Sequence, residues 1–393
     1  MVVVGVRWGV CNEMLRKSQE DIQIHQFASA DRRLALISWF NSRNGEVSFY
    51  RARIAWMRGE PQTSKQYFDL AASQGFDSTK IADERLLILI KSGGASRSYA
   101  EIERLLQRHP ADEPAILEAY VMGFLAEGNY AQANVVVEAW TQSFPQDGRP
   151  YYWRGIMYTS RAQDEEAKVE FRKALQLAPE MSRCWFELAD LLSRSGLDRL
   201  AAEHYERSLM SDPDDLFANV ALATSWLRQG KYKESSRRLD DLLKSHPHDI
   251  SVRRALAELA DVQNDPQKVI EHAGYIQQKM PQDTNANYLL ASAFHATGDS
   301  KSSIQYFDAF EKSHHQREQA KALEETYRKN PNPDAAGKIA SLYLESDWSQ
   351  AVTWILIGLS SQPNRPDFNE LMAKYLELSG DAAAAVAYRQ KSQ

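Results

Sequence analysis

The sequence predicts an all-α protein, a solenoid of stacked helical hairpins, and three observations predict it. Five prolines, Pro145, Pro179, Pro213, Pro247 and Pro281, recur at a constant spacing of 34 residues. Between them, apolar residues stand three and four apart, as in Trp185, Leu188 and Leu192 and again in Ala201, Tyr205 and Leu209, so each half-unit presents one helical face. Small residues recur in pairs, Ala189 with Ala201 and Gly155 with Ala167, where two antiparallel helices approach closely and larger neighbours fill the space around them. The proline ends the second helix because it lacks a backbone donor and disfavours helix in the residue before it. A unit of this length cannot bury its apolar face alone, which commits the chain to open-ended stacking.

Counting each unit so that its proline is the thirty-second residue, the unit from Ser182 places Trp185, Leu188, Ala189, Leu192, Gly196, Ala201, Tyr205 and Pro213 in order. The unit from Gly148 places Tyr151, Gly155, Tyr158, Ala167, Phe171, Ala174 and Pro179 in the same register. These residues resemble the tetratricopeptide repeat, a helix-turn-helix unit of this period. The resemblance implies a right-handed superhelix of about ten hairpins whose first helices line a concave groove.

Composition agrees with an ordinary helical protein: charged residues make up 25% and the net charge is −6. That charge argues against a nucleic-acid partner recruited by general electrostatics. Two cysteines, Cys11 and Cys184, exclude a disulfide framework, and Cys184 beside Trp185 reads as a small buried thiol.

Taken in order, residues 1–11 form an apolar stub that does not match the repeat. A membrane span needs roughly 20 apolar residues, so the stub cannot cross by itself. Two readings stand: a lightly packed terminus, or the end of a longer anchor encoded upstream. The chain as written is expected in the cytoplasm; with a missing upstream anchor it would be held at a membrane. Residues 12–112 read as degenerate hairpins. The first carries Ile22, Ile24 and Phe27, then Leu34, Ile37 and Phe40; the next carries Ala52, Gly59 and Phe68. A third runs from about Ser78 to His109, interrupted by Ser92, Gly93, Gly94 and Ala95. Residues 113–315 are the regular array. Its last unit has Leu290, Ala291, Phe294, Gly298 and Phe307, but His315 stands where proline is expected. There the second helix is expected to lengthen or a further helix to follow directly. Residues 316–393 read as irregular hairpins with a capping helix, carrying Ala340, Tyr343, Ala351 and Pro363, then Leu376, Gly380, Asp381 and Ala385.

Catalytic and cofactor motifs are not evident: there is no HExxH, phosphate-binding glycine loop, nucleophile elbow or CxxC. His246, His248 and Asp249 gather around Pro247, but turns collect such residues and a metal site needs three or four placed ligands. His314 and His315 are helix neighbours pointing apart. Acidic pairs such as Asp214 with Asp215 and Glu165 with Glu166 open helices, where the dipole favours negative charge. No catalytic residue, cofactor or metal is expected.

As the resemblance implies, the second, fifth, ninth and twelfth places of each unit face the groove. In this sequence they include Arg149 and Tyr152, then Arg183, Phe186 and Asp190, then Phe217, Arg254 and Tyr288. The family's carboxylate-clamp subset uses Lys at the fifth place and Asn at the ninth. Tyr152 with Ile156 and Phe186 with Asp190 stand there instead, which argues against that function. Aromatics and Arg are favoured at binding hot spots, although a fifth-place aromatic is equally suited to packing between repeats. The expected role is a non-catalytic protein-interaction scaffold whose groove takes a peptide or partner helix. The rival is a membrane-associated accessory or regulatory subunit of an enzyme or of a secretion or assembly complex.

Overall fold

The computed structural model describes residues 2–23, 27–40, 44–362, 365–379 and 381–392. Ile24, Pro363 and Gly380 lie outside the described residues. The described chain is all helical. It divides into two compact units, residues 1–229 and 230–393.

The first unit holds α1 (Val2–Gln23), α2 (Phe27–Phe40), α3 (Gly45–Met57), α4 (Pro61–Ser73), α5 (Ser78–Leu89), α6 (Tyr99–Arg108) and α7 (Glu113–Ala126). It continues with α8 (Tyr130–Ser143), α9 (Arg149–Thr159), α10 (Asp164–Leu177), α11 (Ser182–Arg194), α12 (Asp198–Ser211) and α13 (Leu216–Arg228). The second unit holds α14 (Tyr232–Ser245), α15 (Ile250–Val262), α16 (Pro266–Lys279), α17 (Thr284–Ala296), α18 (Ser300–Lys329), α19 (Pro333–Leu344), α20 (Trp348–Ser361), α21 (Pro366–Leu378) and α22 (Ala382–Ser392). Within each unit, consecutive helices pack as hairpins and each hairpin packs on the next.

The expected boundary after residue 11 falls inside α1, so the described part of the stub, residues 2–11, is the first part of a continuous helix. Among the described residues no helix is long and apolar enough to cross a membrane. The interruption at 92–95 takes the form of a π-helical turn, Ile90–Gly94, followed by a short 3-10 turn. Gly123 of α7 meets this turn: a Cβ there would lie 2.3 Å from the Ile90 carbonyl oxygen, so α7 is seated by the absence of a side chain. At the other irregular point α18 runs unbroken for 30 residues, through His315, so the second helix lengthens and the expected boundary at 315 lies within it.

The core repeats with the sequence. The twenty-fourth place of successive units is held by Val137, Phe171, Tyr205, Leu239 and Ala273, each no more than 2% exposed. Phe171 lies against Gly155 of its own hairpin, where a Cβ would sit 2.4 Å from the ring. It also joins a cluster with Cys184 and Leu188 of α11, while Tyr205 clusters with Ala218 and Leu222 of α13. The next hairpin's first helix therefore completes the burial. Burial also pushes the Cys184 thiol pKa well above its usual range, and its Sγ donates to the Phe171 carbonyl at 3.4 Å.

Both ends of the hairpin follow the period. Gly128, Ala162, Gly196, Gly230, Asn264 and Gly298, spaced 34 apart, all have positive φ, between 54° and 86°. Each follows a first helix, where a left-handed residue satisfies the last carbonyls. In the inter-repeat turns Asp215, Asp249 and Asp283 cap α13, α15 and α17, accepting from the amides of Ala218, Val252 and Ala286 at 3.0, 3.0 and 2.8 Å. An oxygen acceptor at this position satisfies an orphan amide and contributes about 1 kcal/mol.

The repeating prolines have a second use. Four of their carbonyls, at Pro179, Pro213, Pro247 and Pro281, accept from the side chain six residues on: Trp185 at 2.7 Å, Asn219 at 2.9 Å, Arg253 at 2.8 Å and Asn287 at 2.9 Å. An indole, two amides and a guanidinium thus tie the turn to the following helix in the same way.

Candidate functional site

The sequence-predicted groove residues separate into those the fold uses and those it leaves at the surface. Tyr152 is 5% exposed and lies on Phe171, with ring centroids 5.9 Å apart. Burial pushes its hydroxyl pKa above the usual range. It is a core residue, and its assignment to the groove is corrected accordingly. Arg149 is occupied within the chain: it pairs with Asp147 at 2.7 Å, reaches Glu118 at 3.5 Å and lies over the Trp140 ring at 5.2 Å. Trp153 donates to the same Glu118 at 3.0 Å, so this carboxylate joins α7 to α9.

Arg254 is likewise structural. It grips Asp283 through both guanidinium nitrogens at 3.0 and 2.6 Å, tying α15 to the residue that caps α17. Burial works against the Asp283 charge, but the Arg254 guanidinium and the Ala286 amide outweigh it and hold the carboxyl below its ordinary 3.8. Arg149 and Arg254, read as groove residues from the sequence, both have their guanidiniums paired within the chain.

Arg183, Phe186, Asp190 and Phe217 remain at the surface of the first unit. Arg183, Phe186 and Asp190 share one face of α11 by their spacing. Arg183 is exposed and forms no ion pair among the described residues. Phe186 is half-buried on Tyr205, centroids 5.5 Å apart, and Asp190 meets Arg194 at 3.3 Å. On the neighbouring α13, Phe217 is 71% exposed. Between these groups Glu187 is half-buried; burial raises its carboxyl pKa, and Arg183 offsets part of that rise. The surface therefore presents two rings, the exposed Arg183 guanidinium and a poorly solvated carboxyl whose charge Arg183 favours.

Asp249 is a helix cap, His248 Nδ1 lies 3.0 Å from the Tyr275 hydroxyl, and His246 Nδ1 lies 3.0 Å from Ser245 Oγ. His314 stacks on Phe310, and His315 lies beside Gln319. Among the described residues no three His, Cys, Asp or Glu side chains are grouped to hold a metal ion. A shallow hollow over α14, lined by Tyr232, Lys233, Arg237, Asp240, Asp241 and Lys244, mixes both signs of charge.

Sequence reasoning missed Glu118, Asp147 and Asp283, the anions that claim Arg149 and Arg254. The signal was present in the period: Asp147, Asp215, Asp249 and Asp283 each stand two residues after a repeating proline. It also missed the aromatic group on α18, discussed below.

Two family models, each described as tetratricopeptide repeat, match residues 148–181 and 199–259. No curated protein sequence matches the chain. Among solved structures, pilF of Pseudomonas aeruginosa is similar at 20% identity and a TM-score of 0.38, over 58% of this chain and 97% of that one. A tetratricopeptide repeat protein from Parabacteroides merdae is similar at 15% identity and a TM-score of 0.43, over 67% and 98%. Human IFIT1, solved with m7Gppp-AAAA, is similar at 12% identity and a TM-score of 0.45, over 88% and 89%. The chain thus carries tetratricopeptide repeats, matched at residues 148–181 and 199–259 within an array of hairpins.

Proposed function

We propose that the chain is a non-catalytic interaction scaffold that holds a peptide or helix of a partner protein on the face formed by α11 and α13. The observation that carries this reading is the exposure of Phe217, 71% open on α13, together with the exposed Arg183 on the adjoining α11. An exposed ring and a guanidinium without an ion pair among the described residues gain from a partner, and both residue types are favoured at hot spots. Arg183 and Phe217 stand exposed, whereas Tyr152, Arg149 and Arg254 are committed to contacts within the fold.

The test follows from that division. Arg183→Glu combined with Phe217→Asp should remove partner capture while leaving helicity and thermal stability unchanged. The assay is quantitative pull-down of the full chain from native cytosol and membranes, read by mass spectrometry. Partners retained at the wild-type level by the double variant would refute the assignment. Arg149 is excluded from the test because its removal would free Asp147 and Glu118 and unsettle the fold.

A further inference from the structure

The long helix α18 leaves part of the second unit without its usual cover. At the twenty-fourth place of the five preceding units the side chain is no more than 2% exposed, yet Phe307, at the same place, is 48% exposed. Its neighbours Ile304 and Tyr288 are 62% and 49% exposed.

The cause is the register of the following hairpin. The second helix of this hairpin runs for 30 residues, against 14 in each of α10, α12, α14 and α16, so the following hairpin begins further along. The residues of that hairpin that bond to α18 meet it from Lys312 onward. Gln316 donates to Glu345 at 2.6 Å, and Lys312 lies 3.6 Å from the same carboxylate. Further along, Glu324 accepts from Tyr343 at 2.8 Å and from Trp354 at 3.1 Å. Before Lys312, α18 packs on α17, through Ser303 to the Ala291 carbonyl at 2.9 Å, Tyr306 stacked on Phe294 at 5.5 Å and Phe310 against Tyr288 at 5.4 Å. Phe307 lies 6.0 Å from Phe310 on the side left open.

We propose that this notch, formed by Tyr288, Ile304 and Phe307, is a docking site for an amphipathic α-helix of a partner protein. What covers the equivalent place elsewhere defines the occupant. Phe171 is closed by α11, Tyr205 by α13 and Ala273 by α17, each a helix of 13 residues with an apolar face. The notch is that same surface with its covering helix absent, so a helix bearing apolar residues at i, i+3, i+4 and i+7 fits it in the same way. Ile304 and Phe307 stand one turn apart on α18, forming a contiguous apolar ridge of the kind that marks interaction surfaces. Asp308 and Glu311 are exposed on its C-terminal side and Lys301 one turn before Ile304, which favours basic residues of the incoming helix at the first margin and an acidic one at the second.

The site is separate from the α11–α13 face, so the two readings fail independently. The experiment selects a displayed library of capped helical peptides, about 15 residues long, against the full chain. Enrichment of amphipathic helices is expected, with binding reduced at least about tenfold by Phe307→Asp and by Ile304→Asp, and unchanged by Arg183→Glu with Phe217→Asp. Circular dichroism of each variant should match the wild type, because the replaced side chains lie outside the core. Selection without amphipathic enrichment, or selected helices that bind Phe307→Asp as tightly, would overturn the proposal. So would sedimentation showing a wild-type dimer that Phe307→Asp dissolves, since the occupant would then be a second copy of this chain.

Discussion

The hairpin α11–α12 and the hairpin α17–α18 carry the same 34-residue script and use it differently. In the first, the fifth-place Phe186 packs on the twenty-fourth-place Tyr205, and α13 closes over the pair. In the second, the fifth-place Tyr288 packs on Phe310, one turn beyond, and Phe307 is left 48% exposed. The difference lies in the helix that follows. A position in a repeat is core only when the neighbouring repeat arrives in register; lengthening one helix by a few turns converts a core position into a surface for something else.

The largest predicted effect comes from comparing that place across repeats. Phe171→Ala should destabilise by about 3–5 kcal/mol, the range for emptying a buried ring site, whereas Phe307→Ala should change stability by no more than about 0.5 kcal/mol. Urea unfolding followed by far-ultraviolet circular dichroism measures both, and equal losses would show that α18 packs in standard register.

A smaller effect separates inter-helix ion pairs by their surroundings. Asp283 is only 10% exposed, so Arg254→Ala should cost about 1–3 kcal/mol at neutral pH by removing its bidentate partner. The exposed Arg194, which reaches Asp164 at 3.5 Å, should cost no more than about 0.5 kcal/mol when replaced by Ala. The pH dependence is a second check. The Asp283 carboxyl is held below 3.8 in the folded chain, so its pairing contributes stability above the unfolded value and loses it as pH falls through the folded value. The Arg254→Ala penalty should therefore shrink on acidification through that range; a constant penalty down to low pH would rule out the linkage.

Much of this was legible in the sequence, and the limits are physical. The proline ruler placed α9–α18 because apolar spacing, small pairs and helix stops agreed in phase. The groove residues were harder. A fifth-place aromatic reads the same whether it ends up like Tyr152, buried, or like Tyr288, half open, because its fate is set by a neighbouring hairpin. Arg149 and Arg254 looked available because their anions, Asp147 and Asp283, sit in turns and Glu118 lies a full repeat away. Phe307 was read as an ordinary framework residue, and only the docking of α19 beyond Lys312 shows otherwise.

The mildest test concerns the turns. Five of the six periodic left-handed positions are Gly or Asn, and Ala162, at φ 57°, is the exception. Ala162→Gly should stabilise by about 0.5–1 kcal/mol, since glycine adopts this conformation without a Cβ penalty. Gly196→Ala should lose a similar amount. Melting temperatures moving in the same direction for both would refute the shared turn geometry.

The claim that register decides core from surface is tested most directly by thiol labelling. In a Cys11→Ser background, where the remaining Cys184 is buried, Phe307→Cys and Tyr205→Cys are compared under native conditions with a maleimide reagent. The account predicts that the thiol placed at 307 reacts at nearly the unfolded-chain rate while that at 205 is protected at least about a hundredfold. Comparable protection at the two positions would contradict it.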